Sequence, residues 1–222
     1  MKKLKTNKLF YGEWPYKINT HINGGNLIKT RGIEYVKKFC TNEHRSPLYK
    51  RAIAKEKLFN YVCILETFDL TKIKIRAEYD TVNIFVKDKN LYSKICQALD
   101  IYVSSVVEPV NEEELSILLD NNKSVFCDRL PHGIYQYKAI FKSRIPLDVR
   151  EKLARWLVQY DHSKLLVSND SLHKLENQKT LWGECFVYVA DKNMLILLQL
   201  ASQGYIRRTE EFIVRSSINT SS

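Results

Sequence analysis

The sequence predicts an α+β fold made of two tandem copies of one unit, and three observations support this prediction. Residues 85–90 (FVKDKN) match residues 188–193 (YVADKN) without a gap. Residues 12–17 (GEWPYK) match residues 133–138 (GIYQYK) at Gly, an aromatic residue, Tyr and Lys. Both matches keep their order along the chain and their phase within predicted strands, which is typical of an internal duplication.

Length and composition fit this organisation. The 222 residues suffice for two small domains, and 45% of them are hydrophobic, enough for a core in each. The sequence has no run of about 18 apolar residues, so it predicts no membrane-spanning helix. Five widely spaced cysteines form no CxxC pair and are expected to be reduced thiols. We therefore expect a cytoplasmic protein.

The first copy, residues 1–110, predicts the element order β-α-β-β-α-β. A strand of alternating residues ends at an Asn-Gly-Gly turn, and apolar residues at helical spacing follow it. Two further alternating segments form a hairpin, and Asp88 caps a helix that leads to the last strand. The predicted segments, in chain order, are 16–22, 31–40, 70–77, 82–86, 91–99 and 103–110.

The second copy, residues 132–215, predicts the same order of elements. Its predicted strands are 136–141, 165–168, 184–190 and 205–214, and its predicted helices are 147–160 and 194–202. A helical linker over 111–131 joins the copies, and the tail 216–222 is expected to be disordered.

The first copy also carries an insertion at about 41–60. The offsets of the two matched pairs differ by 18 residues, so the additional residues lie between them. Ser46 and Pro47 predict the start of a helix that continues to residue 59. Its charged residues include Lys50, Arg51 and Lys55.

The βαββαβ order predicts a ferredoxin-like sheet with both helices on one face. Period-two alternation leaves a ring and several cations on the other face, namely Lys72, Lys74, Arg76, Phe85 and Lys87. Rings can stack on bases while cations hold phosphates. This arrangement resembles the RNA recognition motif in strand order and in the aromatic residue on the third strand. That resemblance implies binding of single-stranded RNA.

Charge points to the same partner. Residues 1–110 carry 20 Lys and Arg against 11 Asp and Glu, a net charge of +9, whereas residues 111–222 carry 15 against 14. A polyanion would therefore meet the first copy. We predict that the protein binds single-stranded RNA in preference to DNA and needs no cofactor. The predicted contacts are Lys17, Lys50, Arg51, Lys55, Lys72, Lys74, Arg76, Phe85 and Lys87, with help from Lys2, Lys3 and Lys5.

The second copy predicts a different role. Its free face would carry Phe186 and Tyr188 with few cations. Such a face is typical of a buried surface, so we expect it to pack against the first copy, a protein partner or another copy of the chain.

Two alternative functions remain open. Five histidines occur without metal-binding spacing, and no metal site is expected. The chain nevertheless resembles Cas6-like CRISPR RNA endonucleases in its two ferredoxin-like units and basic charge, which implies metal-independent RNA cleavage. His21 and His132 are the candidate catalytic residues. The second alternative is a viral structural or assembly protein with a basic arm, since richness in Lys, Asn and Ile suits a virus or mobile element.

Overall fold

A computed structural model of the chain describes residues 1–41, 54–177 and 183–217. The chain divides after Leu119 into two units. Each unit contains one five-stranded mixed sheet and its own hydrophobic core. The predicted α+β class is therefore confirmed, and the two five-stranded sheets are compatible with the predicted tandem duplication.

In the first unit, the sheet order is β1-β5-β2-β4-β3, with β1 parallel to β5 and the other neighbours antiparallel. The strands are β1 (Lys2–Thr6), β2 (Tyr16–His21), β3 (Ile73–Glu78), β4 (Thr81–Val86) and β5 (Val103–Pro109). The helices are α1 (Asn26–Arg31), α2 (Ile33–Thr41), α3 (Lys55–Glu66), α4 (Lys89–Ala98) and α5 (Glu112–Asp120).

In the second unit, the sheet order is β6-β10-β7-β9-β8, which repeats that of the first. The parallel pair is again the first strand with the last, β6 with β10. The strands are β6 (Ser124–Cys127), β7 (Tyr137–Phe141), β8 (Leu165–Val167), β9 (Phe186–Val189) and β10 (Ile206–Val214). The helices are α6 (Leu147–Leu157), α7 (Asn169–Asn177) and α8 (Lys192–Ala201).

Matched residues have matched local structure in the two units. Asp88 and Asp191 each accept a hydrogen bond from the backbone three residues ahead and begin α4 and α8, as their sequence positions predict. The turns before β2 and β7 each hold consecutive residues at positive φ, Tyr11 with Gly12 and His132 with Gly133. These shared details fit a tandem duplication.

The core lies on the helical side of each sheet. In β3 and β4 most of the residues assigned to the core by alternation are buried, among them Ile73, Val82 and Ile84. Tyr61 of α3 is fully buried beneath the sheet, where its hydroxyl lies 2.7 Å from Thr20 Oγ of β2. This contact ties the helical layer to the centre of the sheet.

Besides the short helix α1, three elements were not predicted. β1 (KKLKT) has one apolar residue, so alternation gives it no signal, and its partner β5 is about 100 residues away. β6 is four residues long and lies in the predicted linker, so 111–131 contains a helix and a strand. α7 follows the short strand β8 and was also missed. β1 and β6 each add an edge strand to the predicted sheet.

The predicted insertion helix is only partly described. Residues 42–53, including Lys50 and Arg51, lie outside the described residues, as do residues 178–182 and 218–222. From Lys55 the chain is helical, and α3 continues to Glu66 instead of ending at residue 59. Its buried residues Leu58, Tyr61 and Leu65 place α3 in the core.

Candidate nucleic-acid interface

One surface of the first sheet collects most of the predicted cations. We call the side away from the helices the basic face. Its residues form two rows across the five strands, because paired residues point to the same side. The first row is Leu4, Val107, Lys17, Phe85 and Lys74. The second row is Lys2, Ser105, Asn19, Asn83 and Arg76.

Phe85 lies on the basic face as predicted, but it is not open to solvent. Its side chain is only 3% exposed, because the connection between β1 and β2 folds over it. The ring centroids of Phe10 and Tyr11 lie 5.5 and 5.1 Å from that of Phe85. Reciprocal backbone hydrogen bonds between Phe10 and Trp14 close this connection into a tight turn. The prediction that Phe85 offers a free ring for stacking is therefore wrong.

Tyr11 is the accessible ring instead, with 47% of its side chain exposed. Two of the predicted cations hold it in place. Lys74 Nζ lies 3.9 Å from the ring centroid, and Arg76 Nη1 donates a 3.0 Å hydrogen bond to the phenolic oxygen. Sequence reasoning missed Tyr11 because it lies outside any strand. The adjacent Gly12, which favours a turn at positive φ, was the available signal.

Lys17 is at the centre of the basic face and is half-buried. Its Nζ lies 5.8 Å from the ring centroids of both Phe10 and Phe85. Burial lowers the pKa of Lys17, while the charges of Tyr11 and Glu78 oppose that shift. Within the described parts of the chain, neither Lys17 nor Lys74 has a carboxylate at salt-bridge distance. Aromatic rings lie beside both ammonium groups, two beside Lys17 and Tyr11 beside Lys74.

Three other cations of this region are paired with carboxylates. Lys72 contacts Asp69 at 3.6 Å, Arg76 contacts Glu78 at 2.8 Å, and Lys87 contacts Glu13 at 3.0 Å. All of these pairs are exposed, so each contributes little to stability and can exchange for another anion.

Lys55 does not join this cluster. It belongs to α3, in the helical layer on the other side of the sheet, where its Nζ lies 5.1 Å from the ring centroid of Phe39. The structure therefore brings together Lys17, Lys72, Lys74, Arg76 and Lys87, and it separates Lys55 from them.

The equivalent face of the second unit is electrically balanced. Lys138 occupies the position of Lys17, but its Nζ contacts Glu184 at 2.8 Å. Glu184 also accepts a hydrogen bond from Arg208, which contacts Glu210. Two equivalent lysines thus lie in different electrostatic environments, which agrees with the uneven charge of the two halves.

The candidate catalytic histidines lie in different units. His21 is exposed at the end of β2, opposite Thr81. His132 is exposed beside Tyr188, with ring centroids 5.7 Å apart. Sequence reasoning missed His162, which lines a pocket together with His132. His162 had no sequence signal as a site residue, because His132 and His162 are 30 positions apart in loops without a recognisable motif.

Other reactive groups offer no alternative centre. Burial raises the pKa values of the Cys96 and Cys185 thiols to about 11, so neither is a thiolate near neutral pH. Over residues 1–41, 54–177 and 183–217, no group of three or more His, Cys, Asp or Glu could hold a metal ion.

Comparisons with known proteins add no functional assignment: no family model, curated protein or solved structure matches the chain. Within the described residues, no helix combines the length and the apolar character needed to cross a membrane. The basic face is therefore the starting point for a functional proposal.

Proposed function

We propose that the protein binds single-stranded nucleic acid through the basic face of its first unit. One observation carries this proposal. Lys17 and Lys74 lie beside aromatic rings without a carboxylate partner in the described residues, whereas Glu184 neutralises Lys138, the equivalent of Lys17. A cation held beside a ring and left without a counterion is suited to a phosphate that lies next to a stacked base.

The binding mode follows from the positions of these groups. Lys17, Lys74 and Arg76 supply the phosphate contacts, and the exposed pairs at Lys72 and Lys87 exchange their carboxylates for phosphates. Tyr11 takes the stacking role that the sequence assigned to Phe85. Stacking of one base on such a ring contributes about 1–3 kcal/mol.

We propose RNA rather than DNA as the preferred strand. The second row of the basic face holds the uncharged polar groups of Asn19, Asn83 and Ser105 between Lys2 and Arg76. Asn19 Nδ2 donates a 2.7 Å hydrogen bond to Ser105 Oγ, which leaves the second amide hydrogen and the Ser105 hydroxyl hydrogen as donors. Such groups are suited to the 2′-hydroxyl, which distinguishes RNA from DNA.

The fold supports this proposal. We interpret each unit as a ferredoxin-like sheet, because the strands β5-β2-β4-β3 and β10-β7-β9-β8 have the expected order once the added edge strands β1 and β6 are set aside. In such a sheet the face away from the helices is the one that meets single-stranded RNA.

A salt titration tests the proposal. The binding of fluorescent single-stranded RNA and DNA is measured by anisotropy at increasing salt concentration. We expect affinity to fall steeply with salt, and Lys17→Ala and Lys74→Ala each to reduce the log–log slope by about one. Tyr11→Ala should weaken binding with little change in slope.

Lys138→Ala is the matched control and should leave binding unchanged. A flat salt response without binding would contradict the proposal. Self-association in the same samples would then favour the assembly interpretation. Equal losses in Lys17→Ala and Lys138→Ala would also reject the basic face as the binding surface.

A second candidate function is metal-independent RNA cleavage. It is favoured by the shared pocket of His132 and His162, because two imidazoles can serve as general base and general acid. Labelled RNA incubated with the protein in EDTA should be cleaved, and His132→Ala or His162→Ala should abolish cleavage. Intact RNA would reject this candidate and leave the binding proposal untouched.

A further inference from the structure

The second unit contains a pocket whose lining is mostly apolar. Its volume is about 460 Å³, within the range of small-molecule sites. Leu166, Phe186 and Tyr188 are among the apolar residues that line it. Four polar residues also line it, namely His132, His162, Ser168 and Asn169.

The first unit shows what occupies the equivalent space there. Phe85 corresponds to Tyr188, and the rings of Phe10 and Tyr11 cover it. In the second unit His132 replaces Tyr11 and contacts Tyr188, but Pro131 replaces Phe10. Tyr135 stacks with Tyr188, at 5.9 Å between ring centroids, and Tyr188 also borders the pocket.

The chemistry of the walls differs from that of the basic face. Leu166 is paired with Tyr188 as Lys74 is paired with Phe85, so an aliphatic side chain replaces a cation. Phe186 takes the position of Asn83, and Ser168 follows β8 at the position that Arg76 holds in β3. The site is therefore suited to an uncharged flat ring rather than to a phosphate.

The four polar residues of the lining suit a ligand that carries hydrogen-bonding groups at the edge of its ring. The Ser168 hydroxyl oxygen accepts a 3.1 Å hydrogen bond from the Ser171 backbone, which leaves its proton free to be donated. Histidine and asparagine side chains both donate and accept hydrogen bonds. A flat apolar face combined with a polar edge is the chemistry of a nucleobase.

We propose that this pocket binds a nucleobase, whose ring packs beside Tyr188 and Phe186. The inference rests on the proposed function and deepens it, because a nucleobase is part of the nucleic acid that the basic face is proposed to bind. The second unit then contributes base contacts, and the first unit contributes charge.

Free nucleosides test this inference, because they carry no phosphate. Adenosine, cytidine, guanosine and uridine are added separately to the full chain, and the methyl signals of Leu166 and Val167 are followed by NMR. We expect saturable shifts with at least one nucleoside, and no change in affinity with salt. Tyr188→Leu should weaken this binding about tenfold.

Three further variants make the result specific. Pro131→Phe restores the covering ring of the first unit and should reduce nucleoside binding. His132→Ala changes an exposed side chain, so it should keep the fold and still weaken binding. Lys17→Ala should lower polynucleotide affinity but leave nucleoside binding unchanged, which separates failure of this inference from failure of the proposed function.

Two outcomes would overturn the inference. One is the absence of shifts with all four nucleosides, or equal binding to Tyr188→Leu. The other is binding of N-acetyl-tryptophanamide without any nucleoside, which would assign the pocket to an aromatic side chain of a protein.

Discussion

At the scale of single residues, Lys17 and Lys138 show how one position can acquire two roles. Each lysine comes directly after a tyrosine, Lys17 on β2 and Lys138 on β7. Both ammonium groups lie beside aromatic rings. Within the part of the chain that the structure describes, only Lys138 of these two has an acidic partner, Glu184. The unpaired, half-buried cation costs stability, because burial disfavours the charged form.

We therefore expect Lys17→Met to bind nucleic acid more weakly without lowering the free energy of unfolding by more than about 0.5 kcal/mol. The lowered pKa of Lys17 means that the unfolded chain holds this proton more tightly. Wild-type stability should therefore rise as pH increases through the folded-state pKa, and this rise should disappear in Lys17→Met. Urea unfolding at several pH values measures both effects.

Lys138→Met serves as the control for this substitution. It removes a paired cation, leaves Glu184 bonded to Arg208, and should not change nucleic-acid binding. A clear destabilisation by Lys17→Met would contradict the view that this charge is kept for binding.

The sequence predicted which face of the sheet the Phe85 side chain occupies but not the burial of that side chain. Alternation within β4 determines which face a side chain occupies, and that prediction is correct. Its exposure depends on a turn 75 positions earlier that folds over the sheet. Local periodicity contains no information about such a long-range contact, so the accessible ring, Tyr11, could not be identified.

At the scale of elements, the duplicated aspartate caps provide an internal replicate. Asp88 Oδ1 accepts from Leu91 N at 2.7 Å, and Asp191 Oδ1 accepts from Met194 N at 2.9 Å. Asp88→Ala and Asp191→Ala should each destabilise the protein by about 1 kcal/mol, whereas the asparagine variants should cost much less. Thermal unfolding compares them. Equal losses for alanine and asparagine would show that the lost hydrogen bond is not the cause.

The helices that follow these caps differ on their outer faces. In α8, Ile196, Leu197 and Leu200 are exposed, the last by 71%. The matched residues of α4 are polar, namely Ser93, Lys94 and Gln97. The three apolar side chains lie outside the core, so they contribute little to the stability of the unit.

Replacing them with their α4 counterparts, as Ile196→Ser, Leu197→Lys and Leu200→Gln together, should raise solubility and leave the unfolding midpoint within a few degrees of wild type. Calorimetry and sedimentation measure the two effects. A collapse of the unfolding transition would mean that this face is part of the folded core.

The elements that sequence analysis found are those with local signals. Caps, hairpins and alternating strands follow from neighbouring residues, and β3, β4, α4 and α8 lie within a few residues of their predicted bounds. β1 and β6 owe their structure to a parallel partner far along the chain. A strand of this kind has no local signature when it is short or charged.

At the scale of the whole molecule, the boundary between the units determines which fragment can fold alone, because β6 belongs to the second sheet. Asn121 also belongs there, since its side chain donates a hydrogen bond to Glu211. A fragment of residues 121–222 should therefore fold cooperatively. A fragment of residues 132–222, cut at the boundary that the sequence suggested, lacks β6 and exposes an edge of β10.

We expect the shorter fragment to aggregate or to unfold at much lower denaturant concentration. Circular dichroism during urea titration compares the two fragments. If residues 132–222 were as stable as residues 121–222, β6 would be an accessory rather than a part of the sheet.

The position of β5 between β1 and β2 has a consequence for the nascent chain. Neither early strand can gain its shared neighbour until the ribosome has made residues 103–109, so the first sheet cannot be completed gradually. In the same way, β6 and β7 cannot pair with β10 until residues 206–214 have been made. Each half of the protein should therefore form late and abruptly during translation, and its early strands remain open to chaperones or wrong partners until then.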